Sequence, residues 1–385
     1  SIYFIIVMKI LLINHYAGSP NLGMEFRPYY VTKGWVKLGH EVLIVGGSYS
    51  HLRKVQPQSC EEMIDDVRYR WVKVNPYKGN GIGRIISMFS FVTKLYCNYR
   101  RYLRNFKPDI VIASSTYPLD IYPAYRIARH YHAKLIYEVH DLWPLSPMEL
   151  GGYSKKHPFI RIMQKAEDDC YRYADAVVSM LPKAEEHMRE HGLTRDKFHY
   201  VPNGIVLSDW NNPKGIPEEH GLLLSKLRAE GKFIVGFAGA HGIANSLYAV
   251  IDAVSSLTEQ NVVLVLVGGG QEKENLIKYA HKKGVTNVYF LLPINKLAIP
   301  NLLKEMDVLY IGLQKQSLFR FGISPNKMFD YMMAAKPIIQ AIDAGNNLVR
   351  EADCGIDVEP DNVSEISKAI LALKSVSYTH LTLPT

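Results

Sequence analysis

Short apolar runs bounded by turn residues alternate with helix-period stretches along this chain, and the alternation restarts midway. Residues 9–14, 41–46, 110–114, 134–139, 176–179 and 198–201 read as buried strands of a first half. Residues 233–239, 262–267, 288–291, 308–311, 337–340 and 355–358 read as those of a second. Helical patterns separate them at 29–38, 83–105, 118–130, 158–174 and 182–191, then at 246–256, 271–283, 299–306, 326–334, 346–352 and 363–374. Strand–helix alternation of this kind makes parallel sheets covered by helices on both faces. The expected fold class is therefore α/β, with two doubly wound Rossmann-like domains facing a cleft.

The length of 385 residues suits two such domains, at roughly 100–200 residues each. Residues 8–203 form the first, 204–221 a polar hinge containing Pro and Gly, and 222–375 the second. Residues 1–7, ahead of Met8, and 376–385, which continue neither the period nor the cap of the last helix, read as sequence foreign to the fold. The apolar stretch 2–13 is interrupted by Lys9 and is shorter than the ~20 residues of a membrane span. Cys60, Cys97, Cys170 and Cys354 make no C-x-x-C pair, which argues against a zinc knuckle or a disulfide framework and for a cytoplasmic protein.

Charge is unevenly placed. Residues 1–204 hold 28 Lys+Arg against 19 Asp+Glu, net +9, while the remainder hold 17 against 18 and bring the whole to +8. Any anionic partner should therefore meet the first half. Within 84–107 there is no acid. At ~100° per residue, Lys94, Arg100, Arg101, Arg104 and Lys107 share one arc, with Met88, Val92, Leu95, Tyr99, Leu103 and Phe106 opposite. Such a helix suits an anionic membrane surface, or simply a solvated face over a core. Nucleic acid is a poor partner, since no recognisable nucleic-acid fold or aromatic platform accompanies the charge.

Four segments carry the chemistry. The long turn after the first strand holds Gly18 and Gly23, followed by Glu25 and Arg27, and is not the G-x-G-x-x-G of a nicotinamide site. His140 leaves a strand at its carboxyl end beside Asp141 and Trp143, placed to hydrogen-bond a sugar hydroxyl or to take a proton from an acceptor. Gly239, Gly242 and Asn245 form a strand-to-helix turn, and Gly268, Gly269, Gly270 and Glu272 a second one; free N–H groups at such turns cradle phosphate. Finally Ser324-Pro325-Asn326-Lys327 enters a helix that also carries Asp330. There the lysine suits a diphosphate and the carboxylate a ribose.

Taken together and in order, these segments resemble family-4 glycosyltransferases of the GT-B type over about Met8 to Lys374. The chain is most similar to bacterial cell-surface polysaccharide transferases of the N-acetyl-L-fucosamine transferase kind. Glu25-Phe26-Arg27-Pro28, Glu138-Val139-His140-Asp141, Pro202-Asn203-Gly204, Gly239-Ala240-His241-Gly242 and Ser324 through Pro337 carry the likeness. The resemblance implies an acceptor site in the first domain, at Gly18, Gly23, Glu25 and Arg27. It also implies a nucleotide-sugar donor site in the second, with UDP as the carrier. Of the family's Glu-x7-Glu pair, Asp330 takes the second place and no Glu stands at the first. Ala240, His241 and Asn245 stand where many members have Arg or Lys, leaving backbone N–H groups, Lys327 and Lys296 to meet the phosphates.

The expected reaction is transfer of a sugar, N-acetylated, to a lipid-linked oligosaccharide in O-antigen or capsule synthesis at the inner membrane. His140 and Lys327 are its expected catalytic groups. No cofactor and no metal are expected, because the second half has no strand-end Asp-x-Asp and a lysine with helix N-termini can stabilise the leaving diphosphate. Retention at the anomeric carbon is the expected outcome. A nucleotide-sugar epimerase on the same fold and a non-catalytic membrane-associated scaffold are the alternatives.

Overall fold

The computed structural model describes residues 6–79 and 81–377. Residues 1–5 and 378–385, which hold most of the two ends read as foreign, lie outside the described residues. The chain divides into two compact units, Ser1–Pro202 and Asn203–Thr385. The stretch expected as a hinge, 204–221, contains the helix Leu207–Asn211 and the first turn of Glu218–Ala229, and it belongs to the second unit.

The first unit contains β1 (Lys9–Ile13), β2 (Glu41–Gly47), β3 (Glu61–Ile64), β4 (Val67–Val72), β5 (Ile110–Ala113), β6 (Lys134–Val139), β7 (Ala176–Ser179) and β8 (Phe198–Tyr200). They make one sheet in the order β3-β4-β2-β1-β5-β6-β7-β8, parallel except for the β3–β4 pair. That hairpin has no counterpart in the apolar-run pattern. Its strands interleave charge with apolar residues, and its turn, Asp65-Asp66, has both residues at positive φ (47° and 68°) with no glycine to mark it. Tyr69 and Trp71 point into the core, while Arg70 Nη1 donates to the carbonyls of Tyr102 and Leu103 (2.7 and 2.5 Å). An arginine there satisfies the free carbonyls at the end of the helix Ile82–Leu103.

The second unit contains β9 (Phe233–Ala238), β10 (Val262–Val267), β11 (Val288–Leu291), β12 (Val308–Gly312), β13 (Ile338–Ala341) and β14 (Gly355–Asp357), all parallel in the order β11-β10-β9-β12-β13-β14. Period-two alternation divides their side chains between two cores. Phe233, Val235, Phe237, Val262, Leu264 and Leu266 enter one, and Ile234, Ala238, Val263, Val265 and Val267 the other. β9, β10 and β12 are buried along their whole length, which is why those strands carry no charged residue.

In each sheet the strand order reverses once in mid-sheet, between β1 and β5 and between β9 and β12. Ligands of open α/β sheets bind beyond the carboxyl ends of strands at such reversals.

Candidate active site

In the first unit the reversal is occupied by one hydrogen-bonded group. Glu138, the penultimate residue of β6, accepts from Arg27 Nε (3.0 Å), from Ser114 Oγ (2.7 Å) and from His140 Nε2 (3.0 Å). Arg27 also donates to the carbonyls of Val201 and Pro202 (2.9 and 3.0 Å), and Asn14 Nδ2 donates to the Ser114 carbonyl (2.6 Å). Burial would raise the Glu138 carboxyl, but the hydrogen bond and charge of His140, with Arg27 and Ser114, hold it far below the carboxylate range. Burial would likewise lower His140, yet the bond to and charge of Glu138, helped by Glu25, raise its pKa. His140 is thus pinned through Nε2 and biased toward the imidazolium, a hydrogen-bond donor rather than a proton acceptor. The neighbour expected beside it, Asp141, instead accepts from Trp143 Nε1 (3.2 Å) and Ser146 Oγ (2.6 Å).

Arg27 is thus held by Glu138 and by the chain near Pro202. Gly18 and Gly23 also have a local explanation. A Cβ on Gly18 would lie 1.9 Å from the Gly23 carbonyl oxygen, and one on Gly23, at φ +108°, 2.9 Å from the Lys54 nitrogen. These glycines close the turn on itself, with the Gly18 N–H donating to the Glu25 carbonyl (2.8 Å).

Sequence reasoning missed the aromatic and histidine cluster at the same strand ends. His15 stacks between Tyr16 and Phe91 (both 4.5 Å) and shares a hydrogen bond with Tyr117 (2.6 Å). Arg84 lies over the rings of Tyr16 (5.4 Å) and Trp143 (5.7 Å). His51 meets the Tyr77 hydroxyl (2.7 Å), with its pKa pushed down to about 4 by burial and the Arg84 charge. Below them Asp120 accepts from the Ser115 N–H (2.9 Å), and burial pushes its carboxyl up to about 7. Apart from the two residues following each strand, no spacing in the sequence relates these groups, which come from several separate segments.

In the second unit Lys327 is the centre. Its Nζ donates to Asn245 Oδ1 (2.6 Å) and stands 4.4 Å from the centre of the Phe237 ring. Gly239 makes room for it: a Cβ there would come within 3.2 Å of that nitrogen. Asn245 Nδ2 donates to the Ala240 carbonyl (3.0 Å), so one amide ties lysine and turn together. Burial pushes Lys327 down to about 8. Gly268 and Gly270 admit the neighbouring turn, since Cβ atoms would lie 1.9 Å from the Gly239 carbonyl oxygen and 2.4 Å from that of His241. Gly269 accepts from the His241 N–H (2.8 Å), and a Cβ on Gly242 would meet only Asn245 Nδ2, at 3.9 Å.

His241, which carried no site expectation, is fully buried, and both ring nitrogens lack a hydrogen-bond partner among the described residues. Burial, then the charges of Lys273 and Lys327, hold its pKa near 4, so it is neutral. Lys273, also unforeseen, donates to the carbonyls of Gly268 (2.8 Å) and Leu291 (2.7 Å).

Three residues expected at the donor have partners of their own within the second unit. The Ser324 hydroxyl accepts from the Asn203 N–H (2.8 Å) and the Ser324 carbonyl from Asn203 Nδ2 (2.7 Å), so this serine anchors the residue after Pro202. Glu272 receives the Tyr248 hydroxyl (2.8 Å). Asp330 shares the helix Asn326–Met333 with Lys327 but sits among Lys296, Trp210 and Asp209, its carboxyl raised by burial. Asn326, the first residue of that helix, is exposed. Lys296 accordingly neighbours Asp330 rather than Lys327.

What the second unit offers is a buried cation, a second lysine, a neutral imidazole and narrow glycine turns at a sheet reversal, which is the chemistry of a phosphate-bearing ligand. What the first unit offers is a pinned, positively biased histidine among aromatic rings.

Comparison with known proteins agrees with this division. Residues 23–204 match the family described as glycosyl transferase 4-like domain, and residues 232–375 match glycosyl transferases group 1. The chain belongs to the glycosyltransferases of the double-Rossmann, GT-B type. Among its relatives is TuaH of Bacillus subtilis (strain 168), named as a teichuronic acid biosynthesis glycosyltransferase, 24% identical over 215 residues. That match takes in 54% of this chain and half the length of TuaH. Solved structures of similar fold include Anabaena HepE in complex with UDP-glucose (17% identity, TM-score 0.62, 96% of this chain and 91% of that one). WaaG, a glycosyltransferase involved in lipopolysaccharide biosynthesis, is another (16%, TM-score 0.64, 96% and 91%). Sucrose-phosphate synthase from Thermosynechococcus elongatus is a third (14%, TM-score 0.67, 96% and 90%).

Proposed function

We propose that this protein moves a sugar, N-acetylated, from a UDP-sugar to a lipid-linked oligosaccharide in bacterial surface-polysaccharide synthesis, with retention at the anomeric carbon and without a metal ion. The observation that carries the donor half is the Lys327–Asn245–Ala240 chain beside Gly239, which holds a buried ammonium group at the sheet reversal. UDP as carrier draws support from HepE, whose structure with UDP-glucose shares this fold. Surface polysaccharide draws support from the names of TuaH and WaaG. The N-acetyl-L-fucosamine kind of donor rests on the sequence resemblance alone.

In this reading Lys327 and the N–H groups of Ala240 and Gly242 take the charge that develops on the departing diphosphate, the main electrostatic task of glycosyl transfer. His140 donates a hydrogen bond to a sugar hydroxyl. The acceptor enters over Tyr16 and Trp143. The basic face of the helix Ile82–Leu103 and the residues after it lies on an anionic membrane surface. Arg100, Arg101, Arg104 and Lys107 are exposed there, with Met88, Val92, Leu95, Tyr99 and Leu103 buried opposite. Among the described residues no helix is long and apolar enough to cross a membrane.

A thermal-shift series with UDP-, GDP- and dTDP-sugars tests the donor. A rise with UDP-sugars that Lys327→Ala abolishes is expected, and no shift with any nucleotide-sugar sinks the reading. NMR of the product's anomeric centre tests retention, and transfer measured with and without added Mg2+ or Mn2+ tests whether the reaction itself needs a metal ion. An inverted product, or transfer that appears only when Mg2+ or Mn2+ is added, overturns the respective part.

A further inference from the structure

Far from the residues of both sites in the sequence, two carboxylates and two imidazoles of the first unit meet between helices. Glu167 and Asp168 lie on Pro158–Tyr173, and His187 and His191 lie one turn apart on and just after Glu185–Glu190. His187 Nε2 is 3.1 Å from Glu167 Oε1 and His191 Nδ1 is 3.0 Å from Asp168 Oδ1. One ligand atom from each of Glu167, His187 and His191 falls within 4.8 Å of the other two.

The Glu167 side chain is 1% exposed, and neither it nor Asp168 meets a lysine or arginine among the described residues. A buried carboxylate is strongly disfavoured unless it is paired or ligates a metal. Glu167 Oε2, Asp168 Oδ1 and His191 Nδ1 all stand within 2.8–2.9 Å of the same amide nitrogen, Gln164 Nε2. That nitrogen carries two protons for three acceptors. Two carboxylates and two imidazoles converging here make the donor set of a divalent ion.

We propose that Glu167, His187 and His191, with Asp168 adjoining, bind a divalent transition-metal ion of the zinc class that clamps the two helices together. Imidazole and carboxylate donors suit zinc. Its bonds of about 2.0–2.2 Å set tetrahedral neighbours about 3.3 Å apart, so the present ligand atoms close by side-chain adjustment alone. Gln164 and the Tyr171 hydroxyl, 2.9 Å from Glu167 Oε1, orient the carboxylates from outside, as supporting hydrogen bonds do around metal ligands. The ion braces the first unit and touches neither His140 nor Lys327.

The full chain, stripped with chelator and desalted, is titrated with ZnCl2 by calorimetry and with CoCl2 by visible absorption. One equivalent of zinc, an intense tetrahedral cobalt spectrum and a rise in melting temperature are expected. The His187→Asn/His191→Asn variant should bind zinc at least tenfold more weakly. Far-UV circular dichroism of that variant checks its fold. Should it not fold, the cobalt spectrum of the wild type decides alone, and a featureless spectrum overturns the proposal. So does zinc binding that survives unchanged in the folded double variant.

Discussion

Lys327 holds its ammonium group where burial brings its pKa to about 8, in reach of Asn245 and over the Phe237 ring. A group so placed is charged below that pH and loses its proton above it, so a ligand that needs the charge is held less well as pH rises through 8. The Michaelis constant for the donor should climb above pH 8 in the wild type. In Lys327→Arg, which stays protonated, it should stay flat over the same range. His140 runs the opposite way: Glu138 raises its pKa against the pull of burial. With Glu138→Gln burial stands against Glu25 alone, the imidazolium is lost at lower pH, and the basic limb of the kcat profile should move down. The rate should fall by roughly 10- to 100-fold, the worth of a hydrogen bond from a charged donor, while donor affinity measured by calorimetry stays as it was. Gly268→Ala forces a methyl group to within 1.9 Å of the Gly239 carbonyl oxygen. Fluorescence titration with UDP should show weaker binding and differential scanning a lower melting temperature.

At the scale of elements, period and polarity placed most strands and helices to within a residue or two. The hairpin β3–β4 escaped because its alternation mixes arginine and glutamate with tyrosine and tryptophan, and because Asp65-Asp66 turns without glycine. The helices Leu207–Asn211 and Glu218–Ala229 escaped for a different reason, since Pro213, Gly215 and Pro217 between them read as linker. The helix Ile82–Leu103 buried the side that its periodicity selected and left Arg100 and Arg101 outward, with Lys107 exposed beyond its end. Arg104 is partly engaged, 3.2 Å from Glu61, and Lys94 donates to the Lys73 carbonyl. Replacing Arg100, Arg101 and Lys107 by serine should therefore weaken sedimentation with phosphatidylglycerol vesicles while leaving the melting temperature within about a degree, because exposed positions contribute little to stability. Unchanged vesicle binding would remove the membrane role from this face.

On the scale of the whole molecule, the two units have separate cores and separate sheets. Scanning calorimetry should resolve two transitions, and UDP should raise only that of Asn203–Thr385. At a hundredfold excess over its dissociation constant the gain is about 2.7 kcal/mol. A uniform shift of both transitions would place nucleotide contacts in the first unit as well. The sequence by itself determined the architecture, because burying both faces of a parallel sheet demands continuous apolar strands between helices, and that demand is written in local composition. It also marked the strand ends at which His140 and the 239–242 and 268–270 turns stand. The partners of those residues were decided only in three dimensions. Glu138 takes His140 rather than leaving it to Asp141, Lys327 takes Asn245 while Asp330 turns to Lys296, and Ser324 is spent on Asn203. Hydrogen bonds and charge pairing act across 82 residues for Lys327 and Asn245 and 121 for Ser324 and Asn203, through geometry that no local period encodes.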